Sequence, residues 1–342
     1  MNATASRGEL HQLVKKVCED RRNRALPGIL LTHVILIGAF AALYFWPSWL
    51  TAVAVFITVG LMQYRLAMSC HEAVHKTLLF PVRLNEFVSI FHGALVGIHM
   101  ARYRVQHLAH HRAHDDAEDP DAYIYRPILA TRRGWRRVAV WILGTPGEVV
   151  QKFLMKSASL GNKDAGGNDR FQSLVMVGVN VALLGLFAYV FKWWYYFVFW
   201  LLPVMTVAVF MNRTRILVEH GFTHVWAGRD CNNPMLVETV DVLTNPLEVF
   251  FFTPFHFNFH YAHHRFPSVP HYRNREVSDR LAEVEASKFR CKNSYLVLLG
   301  RILLGRTSET VPATSGTSPN PARLSAPTPL LERAETTNLS DH

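Results

Sequence analysis

The segment His107-Leu108-Ala109-His110-His111 carries three imidazoles at i, i+3 and i+4. On a helix those positions share one face. Neutral imidazole is a ligand for iron, zinc, copper or nickel. The same spacing returns at His260-Tyr261-Ala262-His263-His264, and a third pair, His71 and His75, stands at i, i+4. Three clusters, two of them identically spaced, point to metal chemistry. One zinc takes four ligands, so the eight cluster histidines suit two metals. A single structural zinc would leave most of them without a role. The four cysteines, Cys18, Cys70, Cys231 and Cys291, lie far apart with no C-x-x-C. Neither a zinc knuckle nor a cysteine-ligated iron–sulfur site is expected, and nothing requires an oxidising compartment. Imidazoles without thiolates are compatible with non-haem iron that activates oxygen.

The elements that must position these residues are membrane helices. Half of the 342 residues are hydrophobic. From Leu26 to Tyr64 there is no Asp, Glu, Lys or Arg, and from Phe171 to Phe210 only Lys192. About 20 apolar residues cross a bilayer, so each block is long enough for two passes. The expected helices cover about 26–45, 50–68, 174–191 and 195–211. Pro47-Ser48, between Trp46 and Trp49, turns the first hairpin, and Lys192-Trp193-Trp194 turns the second. Tryptophans there fit an aromatic belt.

The formal charge is +10. Nucleic acid would explain a basic chain, but the placement of charge argues against it. Arg7, Lys15, Lys16, Arg21, Arg22 and Arg24 precede the first span, and Arg213 and Arg215 end the fourth. The hairpin turns carry only Lys192. This positive-inside pattern puts both termini in the cytoplasm. The expected location is a multi-pass position in a bacterial inner membrane. The first 25 residues are polar and charged, so no cleavable signal peptide is expected.

Residues 1–25 read as a basic cytoplasmic arm, 26–305 as the membrane domain and 306–342 as a Ser-, Thr- and Pro-rich tail predicted to be disordered. Segments 69–170 and 212–305 form the expected cytoplasmic cap. Within it, Phe87–Met100 is too short to cross alone and reads as an interfacial or re-entrant helix. His92 and His99, seven apart, read as packed residues on one face of it. Arg132, Arg133, Arg136 and Arg137 around Trp135 suit anionic headgroups or an acidic protein. Gly161–Asp169 reads as a polar loop and Tyr295–Leu304 as a short apolar helix. No internal repeat is evident. Every histidine cluster then emerges at a cytoplasmic end. The fold class expected is an all-α integral membrane protein: four transmembrane helices in two hairpins, with a helical cap holding a histidine-rich dimetal site.

These residues resemble the membrane fatty acid desaturase family, whose members carry three histidine boxes, H-x(3,4)-H, H-x(2,3)-H-H and (H/Q)-x(2,3)-H-H, around two membrane hairpins. Glu118-Asp119-Pro120-Asp121 resembles the acidic stretch after the second box. Arg215-x-x-x-Glu219-His220 resembles a motif after the fourth helix, and Asn258 through Pro270 resembles the ending N-x-H-x-x-H-H-x-F-P-S-V-P. The resemblance runs from about residue 30 to 275. It implies two irons held by His71, His75, His107, His110, His111, His260, His263 and His264, with His220 as the ninth ligand and His224 as its alternative. No further catalytic side chain is implied. Arg215 and Glu219, at i, i+4, would pair and orient their turn. Asp115, Asp116 and Asp119 would hold imidazole N–H groups or form a solvated acidic loop.

The implied reaction is oxygen-dependent removal of hydrogen from unactivated C–H bonds of a lipid acyl chain, leaving a double bond. Electrons would come from a separate donor, a ferredoxin or a cytochrome b5-type carrier with its reductase, since no His-Pro-Gly-Gly motif is present. A di-iron hydroxylase or carotenoid-type ketolase shares the boxes and has no discriminator here. His71-Glu72-x-x-His75 also satisfies the zinc-peptidase pattern, with Glu72 as general base. A peptidase would not need two H-x-x-H-H clusters. A metal transporter would place ligands near the bilayer midplane, where these spans offer only His33.

Overall fold

The computed structural model describes residues 3–113, 118–159, 169–226, 239–284 and 289–305, without the side chains of 3–6, 151–159 and 222–226. Met1–Thr307 form one compact unit. The tail expected at 306–342 lies outside the described residues.

The described chain is mostly helical. After α1 (Ala3–Cys18), α2 (Leu26–Phe45) starts with Pro in its first turn, where the missing N–H costs nothing. The turn at Trp46-Pro47-Ser48 ends in a capping serine. Ser48 Oγ accepts from the Thr51 N–H at 3.1 Å and starts α3 (Trp49–Val74), which packs along α2. Then come α4 (Val82–Val96), α5 (Met100–Arg112), α6 (Ala122–Ala130), α7 (Trp135–Ser159) and α8 (Asp169–Val190). A last long helix begins as α9 (Trp194–Tyr196) and ends as α10 (Val209–Trp226). Between them lie two π-helical stretches, Phe197–Leu201 and Val204–Ala208, on either side of Pro203. Proline has no N–H to give the ladder and crowds the preceding turn, so the helix widens around it. Gln63 Nε2 donates to the Trp200 carbonyl there at 2.8 Å.

Four helices are long and apolar enough to cross a membrane: Leu26–Phe45, Trp49–Val74, Asp169–Val190 and Trp194–Gly221. Their outer faces carry residues such as Ile37 and Leu174, 70% and 71% exposed, which suit lipid rather than water. Three of them outrun the expected spans: the third starts at Asp169, ahead of the expected 174, and two run on past their expected ends. α3 continues past residue 68 to Val74, and the last helix continues past 211 to Trp226. Bilayer thickness limits an apolar run, but not the helix that contains it. Ser69, Cys70, His71 and Glu72 stay helical because the neighbouring helices bury them.

β1 (Asp241–Leu243) pairs in parallel with β2 (Arg290–Lys292). α11 (Pro246–Phe252), α12 (His260–Arg265), α13 (Asn274–Val284) and α14 (Tyr295–Leu304) complete the order. Among the remaining segments, α5 packs against α3, and α6, α7, α11 and α14 pack against α10. One expectation fails here. His92 and His99 do not share a helix face, because Gly97 takes a left-handed conformation (φ 74°) and ends α4. His92 stays in α4, with Nδ1 2.7 Å from Ser69 Oγ. His99 moves to the start of α5. Much of the expected loop, residues 161–168, lies outside the described residues.

Candidate metal centre

His71 lies in the last turn of α3 and His75 is the residue that ends it. α5 carries His107, His110 and His111; α10 carries His220; α12 carries His260, His263 and His264. The fold brings all nine together as two groups. One holds His71, His75, His107, His111 and His263; the other holds His110, His220, His260 and His264. Within each group the potential ligand atoms lie within 4.8 Å of one another. Each H-x-x-H-H box is divided. Its i, i+4 pair faces one group and its i+3 member the other.

Several nitrogens approach as closely as hydrogen-bonded atoms. His107 Nε2 is 2.9 Å from both His75 Nε2 and His111 Nε2. His260 Nε2 is 3.1 Å from His220 Nε2 and 3.2 Å from His264 Nε2. Imidazole nitrogens bound at about 2.0–2.1 Å to one ion stand roughly 2.9–3.4 Å apart, depending on the angle between them. Neither ring nitrogen of His263 has a hydrogen-bond partner, although both are buried. Buried polar atoms are rarely left so. Burial holds His107, His111, His260, His263 and His264 well below the usual histidine range, and His75 at about 3. They are neutral at pH 7, with lone pairs free for a metal. Among the described residues the donor set, nine imidazoles and no thiolate, fits two non-haem irons.

Around the groups lies a shell of oriented carboxylates. Asp119 Oδ1 sits 2.6 Å from His110 Nδ1, and Asp119 Oδ2 accepts from Tyr125 at 2.9 Å. Burial is the largest influence on His110 and opposes its charge, but the Asp119 hydrogen bond and the charges of Asp121 and Asp119 together raise its pKa. With Nδ1 held, Nε2 is the free ligand atom. The Tyr125 ring also stacks on His220, centroids 5.5 Å apart. Arg215 donates to Glu219 Oε2 at 2.6 Å, the expected i, i+4 pair. Arg215 also lies over the Phe257 ring, 4.3 Å from its centroid. Asp115 and Asp116 lie outside the described residues, as does the His224 side chain. His33 Nδ1 donates to the Ile29 carbonyl oxygen at 2.9 Å, and the ring rests against His92 as a packed residue.

Two supports have no signal in local spacing. Tyr295, on α14, donates to Glu219 Oε1 at 3.0 Å. Asp241, on β1, accepts from the N–H groups of Tyr261 and Ala262 at 2.7 and 3.1 Å and from Ser278 at 2.6 Å. It thereby anchors the start of the helix that carries the third box. A cavity of about 490 Å³ adjoins the centre. Its walls include Ala67, Met68, Val96, Ile98, Val204 and Ala208, and it is open to His71 and His107 of one group and His110, His220 and His260 of the other.

Residues 47–291 match the model of the fatty acid desaturase family. The chain belongs to that family. Members of the fatty acid desaturase family are membrane oxidoreductases of the desaturase or hydroxylase type. No curated protein matches the chain. His71-Glu72-x-x-His75 lies within the matched segment. Glu72 is buried, with Thr77 Oγ1 3.4 Å from its Oε2, and the two histidines share their group with three others.

Proposed function

We propose that this protein is an oxygen-dependent di-iron desaturase that introduces a double bond into a lipid acyl chain. The observation that carries this reading is the apolar cavity touching both histidine groups. An unactivated methylene offers nothing to hydrogen-bond, so only shape and apolar contact can hold it. Ala67, Met68, Val96, Ile98, Val204 and Ala208 supply that contact and keep water from the chain.

His71, His75, His107, His111 and His263 would hold one iron, and His110, His220, His260 and His264 the other. Bound there, the irons supply the activation of O2 that oxidation of such a C–H bond requires. Asp119 holds the Nδ1 side of His110, and Glu219, clamped between Arg215 and Tyr295, stands 3.7 Å from His260 Nε2. Asp241 keeps α12 in register with both. The chain carries no motif for an electron carrier, so a separate ferredoxin or cytochrome b5-type protein with its reductase delivers the electrons. The four spans form two hairpins whose histidine-bearing ends, with both termini, face the cytoplasm of a bacterial inner membrane.

The test is lipid analysis of a host expressing the protein beside one expressing His110→Ala. A new acyl double bond in the first host only is expected. An alcohol or ketone in its place would make the enzyme a hydroxylase or ketolase. No oxidised product in either host would overturn the reading.

A further inference from the structure

α7 is 25 residues long and is not one of the four apolar spans, yet it exposes an apolar face. Trp135, Leu143 and Val150 are 75%, 74% and 58% exposed, and Ile142 and Pro146 are exposed beside them. At about 100° per residue these side chains share roughly 100° of the helix circumference. The other side of α7 is taken up by the last span. Trp141 Nε1 donates to Thr214 at 3.2 Å, and Glu148 pairs with Arg213 at 3.1 Å. α7 also packs against Val204–Ala208, the π-helical stretch inside that span. Part of α7 therefore lies at the depth of the bilayer, and its apolar face meets what the outer face of the span meets. The backbone agrees. Pro146 has no N–H for the Ile142 carbonyl, and Thr145 Oγ1 donates to that oxygen instead at 3.3 Å. Lipid, unlike water, cannot supply a missing donor.

The charge at the start of α7 says which lipid. No Asp or Glu occurs from Ala122 to Gly147, whereas Arg126, Arg132, Arg133, Arg136 and Arg137 do. Arg137 is already engaged. It is 5% exposed and donates to the carbonyls of Leu129, Thr131 and Ile302 at 2.6, 2.9 and 2.8 Å. That clamp fixes the turn ahead of α7, in which Gly134 is left-handed (φ 95°), and Arg132, Arg133 and Arg136 stay exposed around it. None of these three side chains donates to, or forms an ion pair with, another described residue. Arg136 lies over the Trp135 ring, 5.7 Å from its centroid. Three guanidinium groups and a tryptophan at the head of an apolar helix face complement anionic headgroups.

We propose that α7 is a membrane anchor that does not span: its apolar face enters the lipid, and Arg132, Arg133 and Arg136 bind the phosphates of anionic phospholipids. An acidic soluble protein would match the arginines, but it cannot reach the part of the face at bilayer depth. The same lipid that surrounds the last span covers that part without a gap.

The test uses the full-length protein in phospholipid vesicles. A nitroxide is attached in Leu143→Cys, and in two references: Ile37→Cys, 70% exposed on α2, and Glu283→Cys, whose side chain is 62% exposed on α13. The signal of the unsubstituted protein, labelled in the same way, is subtracted. Collisions with O2, which concentrates in lipid, are compared with collisions with a water-soluble nickel chelate. The Leu143 label should follow Ile37 and meet oxygen more than nickel. A response like that of Glu283 overturns the proposal and assigns the face to a soluble partner. If the Ile37 label itself meets nickel rather than oxygen, the membrane reading of the spans falls, and this proposal with it. The second measurement is the binding of spin-labelled phosphatidylglycerol against spin-labelled phosphatidylcholine. The wild type should favour the anionic lipid about threefold, and Arg132→Gln, Arg133→Gln and Arg136→Gln together should remove about half of that preference or more. Should the triple variant fail to insert, the three single substitutions should add up to the same loss. An unchanged preference in these variants overturns the proposal.

Discussion

His220 is the one histidine of the nine that belongs to no box, and the smaller group depends on it. Its Nε2 lies 3.1 Å from His260 Nε2. With His220→Ala, iron content should fall to about half, the loss of one ion of two, and oxidation should fall with it while the protein still inserts. Metal analysis of purified variants checks this. Unchanged iron would make His220 a packed residue, and loss of iron in His224→Ala instead would shift the role one helical turn on. Asp119 acts on the same group from behind, through the Nδ1 of His110. Asp119→Asn keeps the shape but turns an acceptor-only group into an amide that can present N–H to that nitrogen. Removing such a partner typically costs about 10–100-fold in metal affinity. Competition with a chelator should find a loss of that order.

At the scale of elements, the centre depends on how closely α3 meets the π-helical stretch before α10. Gly60 makes that approach possible. A Cβ there would collide with Cβ of Val207 and crowd its Cγ1 and the Pro203 carbonyl. Small residues let membrane helices approach in this way. Gly60→Ala should therefore cost about 1–3 kcal/mol despite alanine's better helix propensity. Gly38 on α2 has nothing within 4 Å of its would-be Cβ, so Gly38→Ala is the control and should be neutral or mildly stabilising. Thermal unfolding in detergent compares the two, and an equal response would show that the α3 contact tolerates an added methyl.

At the scale of the molecule, the buried neutral histidines tie stability to pH. His75, His107, His111, His260, His263 and His264 are all held below the ordinary histidine value of 6.5 by burial. Below about pH 6.5 the unfolded chain binds protons at these sites and the folded chain does not. Their contribution is therefore present above that pH and lost as pH falls through it. His110, raised by Asp119, works in the opposite sense, but it is one group against six. The metal-free protein should lose thermal stability steadily from pH 7 to pH 5. A melting temperature that stays level across that interval would mean the histidines are solvated before metal arrives.

What the sequence determined by itself is what local periodicity can carry. Two apolar blocks, each long enough for two crossings, specify four membrane helices, because the bilayer sets one length for all of them. An i, i+4 histidine pair specifies a two-toothed ligand face, because 3.6 residues make a turn. The pairing of Arg215 with Glu219 follows from the same rule. Tertiary structure alone decided how the boxes are shared. His110 leaves its neighbours His107 and His111 to join His220 and the third box, and His263 crosses the other way. That exchange depends on how α5 and α12 dock, and no spacing within either helix encodes it. Tyr295 and Asp241 escaped notice for the same reason. Each reaches the centre from a segment with no motif, through contacts 76 and 20 residues distant in the chain. His99 shows the limit most directly: its seven-residue spacing from His92 implied a shared face, and the left-handed Gly97 between them ended α4 and left His99 at the start of α5.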